Sequence, residues 1–276
     1  MRIAVTGASG RLGGQVVSLL AKQTDADIVA LSRVPTRGTR AVTARAADYG
    51  DLDALRRCLA DVDTLVFISS DGEATRVLMH HLNVVSAARE CGVGHIVALS
   101  GVDADIESPF CYAITNGFTE QAIRESGCGY SIVRASIFAE FFRHFLLLAQ
   151  ETGRISVPAG GGRVGFVSRA DVGRCMSALA LSPPTGRCHD VTGMSAWDMD
   201  AVASTAAAVW GRPVAYQPIS AAEHIAQMSS TEEPWWLYAY SSMFASIREQ
   251  RWDRAAAEVE QLTGRAPQPL TQSLYA

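Results

Sequence analysis

The sequence predicts an α/β fold built on a doubly wound parallel sheet, with a smaller substrate-binding region toward the C-terminus. Two observations predict this fold. Short runs rich in β-branched residues alternate with longer amphipathic stretches over the first half of the chain, a rhythm typical of strands and helices that alternate around a parallel sheet. The strand-like runs are also almost continuously apolar, as a sheet covered by helices on both faces requires.

The predicted elements follow one another in a regular order. The predicted strands are RIAVTG, DIVALS, AVTARAAD, DTLVFISS, HIVALS and YSIVRAS. The predicted helices begin near Leu12 and lie in LDALRRCLA, VLMHHLNVVSAAREC and NGFTEQAIRES. After Gly153 the pattern becomes less regular, with a glycine-rich loop and two further helices around MDAVASTAAAVW and DRAAAEVEQL.

Length and composition predict a single domain. A chain of 276 residues with 48% hydrophobic content can bury one large core, and α/β folds of this size commonly form one domain. No repeat or low-complexity linker divides the chain. We therefore expect one domain over 1–276, with its core in about 1–152 and its substrate-binding portion in about 153–276, packed on the C-terminal edge of the sheet.

The stretch TGASGRLGG, directly after the first predicted strand, carries the first functional signal. Its glycines have G-x-x-G-x-x-G spacing between a strand and a helix. Glycines there let the backbone turn tightly and approach a pyrophosphate, whose charge sits at the helix N-terminus. A turn that is merely tight is the minor alternative. The sheet is therefore predicted to be of the Rossmann type, and the predicted cofactor-binding residues in the turn are Gly7, Ser9, Gly10, Arg11, Leu12 and Gly13.

The end of the second predicted strand indicates which dinucleotide binds. An NAD-specific protein places an Asp or Glu there to accept from the ribose 2′-hydroxyl, whereas this chain has Ser32 and Arg33. A guanidinium can hold a 2′-phosphate with two hydrogen bonds. The predicted cofactor is therefore NADP(H). For Arg37 and Arg40, which follow closely, a solvated loop is the preferred interpretation.

Further motifs follow the glycine turn along nearly the whole chain. They are SR, ADYGD, FISS, YSIVRASIF, VSRADVG, VTG, GRPVAYQPIS and LTGRAP. Together with the glycine turn, these motifs resemble those of the NmrA-like, NAD(P)H:quinone-oxidoreductase-like atypical short-chain dehydrogenases/reductases. The resemblance implies a Rossmann sheet with a smaller C-terminal substrate region. It also implies that Asp48 and Tyr49 border the adenine and that Ile68, Ser69 and Ser70 line the nicotinamide side.

The candidate catalytic residues are Ser100, Tyr112 and Asn116. Tyr112 lies twelve positions after Ser100, about where a short-chain reductase places its Ser and Tyr, but the residue four positions after the Tyr is Asn116 and not Lys. Lys22 is the only lysine in the chain and falls near the end of the first helix. The ammonium that ordinarily lowers the pKa of such a tyrosine is therefore absent, and we expect the substrate itself to assist protonation.

The substrate end is predicted from aromatic residues in STEEPWWLYAYSSMF, which the resemblance places over the active site. Their flat faces suit a flat polycyclic ligand, and the nearby Met228 and Met243 could repack around a large guest. A helix fixed to the core by its aromatics remains an equal alternative. A second stripe, Phe138, Phe141, Phe142 and Phe145, has helical spacing that slightly favours core packing. The predicted substrate-binding residues are Phe138, Phe142, Trp235, Trp236 and Tyr240.

Charge and composition exclude several other classes of function. The net charge of −4 has no basic block behind it, which argues against nucleic acid. No run is long and apolar enough to span a bilayer, and a strand at Arg2 leaves no room for a signal peptide, so we expect a cytoplasmic protein with no membrane partner. Adjacent His80 and His81 point about 100° apart on a helix and cannot share a metal. The six cysteines have no C-x-x-C spacing and are interpreted as free thiols.

Two functions remain in competition. The first is an NADPH-dependent reductase of the carbonyl of a large aromatic ketone or quinone, of the polyketide kind. Its partner is then an aromatic small-molecule substrate and not a macromolecule. The second is a catalytically silent NADP(H) sensor that binds a regulatory protein, because the resembled family also includes members that sense dinucleotides without turnover. The aromatic cluster favours the reductase, and the missing lysine favours the sensor. The sequence leaves the oligomeric state open.

Overall fold

The chain folds around a parallel sheet whose strand order reverses at its first strand. The computed structural model describes residues 1–35 and 41–275. Among these, the main sheet has seven strands, β1 Arg2–Val5, β2 Asp27–Ser32, β3 Val42–Ala46, β4 Thr64–Phe67, β5 His95–Gly101, β6 Gly129–Ala135 and β8 Arg187–Val191. A second, two-stranded sheet pairs β7 Arg154–Ile155 with β9 Ala215–Tyr216 in parallel.

Helices connect these strands. In the first part of the chain they are α1 Arg11–Gln23, α2 Leu52–Leu59, α3 Ala74–Glu90, α4 Cys111–Glu125 and α5 Ala139–Phe142. A 3₁₀ turn, Arg143–Leu146, leads into α6 Leu147–Thr152, which α7 Arg169–Ala180 and α8 Met199–Trp210 follow. The remaining helices are α9 Ala221–Met228, α10 Pro234–Arg248, α11 Glu258–Thr263 and α12 Leu270–Ser273.

The order of the main sheet is β3-β2-β1-β4-β5-β6-β8. The strand β1 pairs in parallel with β2 and β4, β2 with β3, and β4 with β5. The chain therefore runs outward from β1 in one direction and then returns to its other side. In open α/β sheets a ligand binds at the carboxyl ends of the strands where this reversal occurs, and the predicted Rossmann-type α/β fold is confirmed.

The described chain consists of two compact units, each made of separate stretches. Unit 1 comprises 1–35, 41–100, 115–134 and 170–189. Unit 2 comprises 101–114, 135–169 and 190–275. The expectation of one domain with a change of role near residue 152 stays a prediction.

Each unit has its own hydrophobic core. In unit 1, β4 is buried along its whole length, and Leu65 and Phe67 lie among the apolar side chains of α2 and α3. In unit 2, Phe142 and Phe244 are fully buried, together with apolar residues of α8 and of the segment before α7. Burial of such large side chains contributes about 1.5–3 kcal/mol each to folding.

One predicted helix is much shorter in the structure. The pattern DRAAAEVEQL predicts a helix from Asp253, but α11 begins only at Glu258. The preceding backbone bonds to distant loops: the Trp252 carbonyl accepts from the Gly165 N–H, and the Ala256 N–H donates to the Thr192 hydroxyl. Because those backbone groups are occupied, they cannot form the first helical turn.

Candidate active site

A cavity of about 610 Å³ lies in unit 1 at the carboxyl ends of β1, β2 and β4. Its volume falls in the range of about 300–1,000 Å³ that is usual for small-molecule and cofactor sites. The lining residues are Gly7, Ser9, Gly10, Ser32, Arg33, Ala47, Asp48, Tyr49, Ile68, Ser69, Ser70, Asp71, Arg76 and His80. The cavity is therefore at the point where the strand order reverses.

Most of the predicted cofactor residues meet in this cavity. From the glycine turn, Gly7, Ser9 and Gly10 line it, whereas the other predicted residues of the turn do not. Those others are Arg11, Leu12 and Gly13, which form the start of α1. Sequence reasoning missed Ala47, Asp71, Arg76 and His80. The usable signal was position, since Asp71 directly follows the buried strand end that the FISS motif marks.

The glycine turn fits the pyrophosphate of a dinucleotide. Gly7 has a φ of +60°, a left-handed conformation that favours glycine. A Cβ on Gly13 would lie 2.3 Å from the Gly7 carbonyl oxygen, so α1 can pack this close to the turn only without a side chain there. Gly10 caps α1 without any side-chain hydrogen bond, and the first turn of α1 has no acidic residue. Its N–H groups therefore suit an anion.

The neighbouring helices differ from α1 in this respect. Asp51 accepts a hydrogen bond from the Ala54 N–H at the start of α2, and Glu73 accepts from the Thr75 and Arg76 N–H groups at the start of α3. At the N-termini of α2 and α3, a carboxylate thus accepts hydrogen bonds from the first N–H groups. At the N-terminus of α1, no side chain among the described residues does so. The contrast supports α1 as the phosphate-binding helix of unit 1.

Arg33 is exposed at the rim of the cavity, directly after β2. Its neighbour Ser32 is buried and donates a hydrogen bond to the Val34 carbonyl oxygen at 2.9 Å, which shapes the turn that presents Arg33. Within 1–35 and 41–275, Arg33 forms no ion pair. A guanidinium at this place can hold a phosphate with two hydrogen bonds. Arg37 and Arg40 lie outside the described residues.

Asp48 and Tyr49, the predicted neighbours of the adenine, are held by local hydrogen bonds. The Asp48 carboxylate accepts from the Gly50 N–H at 2.7 Å. The Tyr49 hydroxyl donates to the Ile68 carbonyl oxygen at 2.7 Å, which ties the loop after β3 to the end of β4. Burial raises the pKa of Tyr49 above its ordinary value, so the phenol stays protonated and continues to donate.

The two serines after β4 differ in their hydrogen bonds. The Ser69 hydroxyl donates to the Leu99 carbonyl oxygen at 2.7 Å. The Ser70 hydroxyl is buried and has no hydrogen-bond partner in the part of the chain that the structure describes. A buried polar atom without a partner costs free energy. Because Ser70 lines the cavity, this orphaned hydroxyl fits a polar group of a bound cofactor.

Ser100, a predicted catalytic residue, is engaged elsewhere in unit 1. It is buried at the end of β5, and its hydroxyl donates to Oε1 of Glu120 at 2.7 Å. Glu120 also accepts hydrogen bonds from Arg134 and Arg124. Burial raises the pKa of Glu120, but the bonds from Arg134 and Ser100 outweigh it and lower the pKa below its ordinary value. The hydroxyl proton of Ser100 is thus committed to a permanent carboxylate, and its catalytic role stays a prediction.

Tyr112 and Asn116 lie one turn apart on α4, and both are partly buried. The edge of the Tyr112 ring meets Trp236, with centroids 6.5 Å apart and an angle of 88°. The single lysine of the chain, Lys22, lies in the last turn of α1. Asn116 therefore offers an amide where a lysine would supply a charge.

The aromatic segment forms a slipped stack along α10. The Trp235 and Trp236 rings are 4.3 Å apart with an angle of 29°, and the Trp236 and Tyr240 rings are 5.2 Å apart with an angle of 24°. Trp235 and Trp236 are half-buried, whereas Tyr240 is buried in the core of unit 2. Each of the two alternatives drawn from the sequence thus fits part of the segment, because Trp235 and Trp236 are partly open whereas Tyr240 belongs to the core.

The Tyr240 hydroxyl is bound at the far side of this stack. It forms a hydrogen bond with Glu232, whose carboxylate also lies 3.1 Å from Nε2 of His144. Burial, and then the Glu232 charge, raise the pKa of Tyr240 above its ordinary value. Tyr240 is therefore an anchor of the stack and is unsuited to donating a proton to a substrate.

The two predicted phenylalanines of the substrate site have different environments. Phe142 is fully buried, with its ring 4.8 Å from Phe166 and 6.4 Å from Phe244. Phe138 is half-buried, and the Arg169 guanidinium lies 5.4 Å from its ring centroid. Helical spacing alone cannot separate a core stripe from a ligand stripe. The assignments of Phe138 and Phe142 to the substrate stay predictions.

Comparison with known proteins agrees with this geometry. Residues 7–183 match the model of the NAD(P)H-binding family. The chain is 33% identical over 238 residues to quinone oxidoreductase 2 of Escherichia coli, covering 84% of this chain and 82% of the relative. The chain belongs to the NAD(P)H-binding family.

Two further matches show the breadth of this NAD(P)H-binding family. An NmrA-like family domain-containing oxidoreductase of Aspergillus flavus is 32% identical over 193 residues, covering 66% of this chain and 62% of the relative. The crystal structure of Citrobacter sp. triphenylmethane reductase with NADP(H) superposes with a TM-score of 0.88 at 28% identity, covering 99% of each chain. The predicted NmrA-like and quinone-oxidoreductase-like membership and the predicted NADP(H) cofactor are confirmed.

The sequence also predicts that the protein has no metal site and no membrane-spanning helix. Among the residues described, no group of three or more His, Cys, Asp or Glu side chains could hold a metal ion. A helix long and apolar enough to cross a bilayer is likewise not found in the described part of the chain.

We expect this NAD(P)H-binding protein to bind NADPH more tightly than NADH, and Arg33→Ala to remove most of that preference. A hydrogen bond to a charged group contributes about 1.5–3 kcal/mol, so the ratio of the two dissociation constants should fall roughly 10- to 100-fold. Isothermal titration with both cofactors measures the ratio. Arg76→Ala, at the other lining arginine, is the matched comparison. Equal affinity of the parent protein for NADH and NADPH would show that Arg33 does not read the 2′-phosphate.

Proposed function

We propose that the protein uses NADPH to reduce a large planar aromatic acceptor, either a quinone or an aromatic ketone of the polyketide kind. The observation that carries this proposal is the stack of Trp235, Trp236 and Tyr240 on α10, with the edge of Tyr112 against it. Half-buried indoles offer flat apolar faces onto which a flat ring system can stack. A small aliphatic carbonyl compound would use little of this surface.

The relatives support an acceptor of this kind. One is named as a quinone oxidoreductase and another as a reductase of triphenylmethane dyes. Both names denote conjugated acceptors built on six-membered rings. The relatives support the class of reaction, reduction with a nicotinamide cofactor, and the substrate class is our inference from the aromatic stack.

The residues of α4 favour an acceptor whose reduction does not require a strong general acid from the protein. Bound NADPH supplies a hydride. Tyr112 and Asn116 can orient a carbonyl oxygen by hydrogen bonding, but Asn116 carries no charge with which to acidify Tyr112. In a quinone the developing negative charge spreads over the ring, and in a ketone beside a phenol the neighbouring hydroxyl can deliver the proton. The residues therefore need only orient such a substrate.

The rival function is a non-catalytic sensor of NADP(H), which the absence of a lysine on α4 favours. Turnover separates the two. We expect the near-ultraviolet absorbance of NADPH to fall over many cycles per protein molecule when a panel of quinones and polycyclic ketones is supplied. Stoichiometric NADPH binding without oxidation by any member of the panel would favour the sensor.

We expect Trp235→Ala and Trp236→Ala each to raise KM for a polycyclic acceptor about tenfold while the affinity for NADPH stays nearly unchanged. Loss of a stacked aromatic contact costs about 0.5–1.5 kcal/mol beyond the lost burial. Steady-state kinetics gives KM, and titration gives the cofactor affinity. Tyr238→Ala is the matched control, because Tyr238 is 61% exposed on the same helix. A lower Tm with unchanged KM would show that the two indoles serve only the fold.

A further inference from the structure

A chain of hydrogen bonds in unit 1 connects the cofactor cavity to α4 through a buried histidine. The Ser70 N–H donates to Nε2 of His81 at 3.1 Å. On the other side of the imidazole, Nδ1 lies 2.9 Å from the Thr119 hydroxyl oxygen. That hydroxyl in turn donates to the Thr115 carbonyl oxygen at 2.7 Å. His81 thus bridges the loop after β4 and the middle of α4.

Each hydrogen bond in this series has only one possible donor and one possible acceptor. A backbone N–H can only donate, so Nε2 of His81 must be the acceptor. The Thr119 hydroxyl spends its proton on the Thr115 carbonyl, so it must accept from the Nδ1–H of His81. Both nitrogens are therefore satisfied by the neutral imidazole with its proton on Nδ1. Protonation of Nε2 would replace the acceptor that Ser70 requires with a second donor.

The surroundings of His81 favour this neutral form. The side chain is 1% exposed and lies with its ring edge-on to Phe67, with centroids 5.1 Å apart. Burial, and then the charge of His80, lower the pKa of His81 to about 4. At neutral pH the imidazole is thus a permanent acceptor for the Ser70 amide. The adjacent His80 has a different environment, since it lines the cavity and meets the edge of Tyr49.

Ser70 carries the second observation. It lines the cavity, and its hydroxyl is buried without a hydrogen-bond partner among the residues described. The buried imidazole of His81 fixes the Ser70 backbone, whereas the Ser70 hydroxyl is left for a partner in the cavity. We propose that His81 is a positioning residue that holds the Ser70 backbone so that the Ser70 hydroxyl hydrogen-bonds to bound NADP(H).

The same bridge reaches the helix that carries the candidate polar residues of the reaction. Thr115 precedes Asn116 directly, and Thr119 lies one turn after Thr115 on α4. His81 therefore sets the distance between the cofactor loop and this part of α4, and it is not among the residues that line the cavity. The proposed role of His81 can therefore be tested by the affinity for NADPH, which is measured without any enzymatic turnover.

Substitution of His81 by Asn or by Gln tests the two ring nitrogens one at a time. The Asn side chain reaches the position of Nδ1 and can still meet Thr119, whereas the longer Gln side chain can place its oxygen near Nε2 and accept from Ser70. We expect His81→Asn to weaken NADPH binding about five- to tenfold, the effect of one lost hydrogen bond. We expect His81→Gln to stay within about twofold of the parent protein, and Ser70→Ala to weaken binding about as much as His81→Asn.

Calorimetric titration of each variant with NADPH gives these affinities, and the pair Ser70→Ala with His81→Asn supplies the decisive result. If His81 acts through Ser70, the double variant should bind no more weakly than the weaker single variant. His95→Asn is the control, because His95 is another buried histidine of unit 1, bonded to Ser131, and should leave NADPH affinity unchanged. Unchanged affinity in His81→Asn, equal losses in His81→Gln and His81→Asn, or additive losses in the double variant would overturn the proposal.

Discussion

Replacing Gly13 with alanine is expected to lower the affinity for NADPH about 100-fold. The added Cβ would lie 2.3 Å from the Gly7 carbonyl oxygen and 2.7 Å from the Gly7 carbonyl carbon. Both are backbone atoms of the turn, so neither can rotate away. The start of α1 must therefore separate from the turn, and overpacking of this kind costs about 1–3 kcal/mol, of which the upper end corresponds to about two orders of magnitude in affinity. Titration with NADPH measures the loss.

Gly14→Ala is the matched control. It lies in the same helix, and its Cβ would come no closer than 3.2 Å to another backbone oxygen, that of Ala8. A displacement of a few tenths of an ångström accommodates this contact, and alanine favours the helix by about 1 kcal/mol over glycine. We expect Gly14→Ala to bind NADPH within about threefold of the parent protein. Comparable losses in the two variants, or none in Gly13→Ala, would show that close packing of α1 on the turn is not required for the cofactor.

The second large effect is expected in the choice of substrate. A polycyclic ketone with a hydroxyl beside its carbonyl should be reduced about 10²- to 10⁴-fold faster, by kcat/KM, than the same ketone without that hydroxyl. This is the range that general acid catalysis ordinarily supplies. On α4, Asn116 stands where a lysine would support Tyr112 as the acid, and under the proposed substrate assistance the neighbouring hydroxyl of the acceptor supplies the proton. A matched pair of ketones, assayed with saturating NADPH, measures the ratio.

Tyr112→Phe supplies the complementary measurement. If Tyr112 only orients the acceptor, its phenol contributes one hydrogen bond, and turnover of the hydroxyl-bearing ketone should stay within about tenfold of the parent protein. The Tyr112 ring remains in the variant to pack against Phe110 and Trp236. Abolished turnover with cofactor affinity intact would identify Tyr112 as the proton donor and refute substrate assistance.

The sequence predicted the cofactor half of the molecule well because local constraints dictate it. Continuous apolar runs alternating with amphipathic stretches favoured buried strands, and the glycine spacing between β1 and α1 favoured a pyrophosphate site over a merely tight turn. Tertiary contacts account for what was not foreseen. The helix pattern from Asp253 was overridden because Trp252 and Ala256 bond to remote loops. Local patterns carry no record of such bonds.

The candidate site shows the same division. Arg33, which follows β2 directly, could be placed at the cavity from the chain alone, whereas Ser70 was placed there by the family resemblance. Phe142 could not be separated from its neighbours by helical spacing, and its burial against Phe166 depends on a segment distant in sequence. The partner of Ser100 was equally hidden, because a buried glutamate held by arginines has no sequence signature.

The stacked indoles of α10 also have an optical consequence. The Trp235 and Trp236 rings have centroids 4.3 Å apart and an angle of 29° between their planes, so they are close enough for their transition dipoles to couple when they absorb light. Such coupling gives paired bands of opposite sign in circular dichroism, and their size depends on the mutual geometry of the rings. A guest that wedges against the pair or shifts it would change this signal even if the guest is colourless. The protein thus carries its own spectroscopic reporter on the surface where the acceptor is proposed to bind.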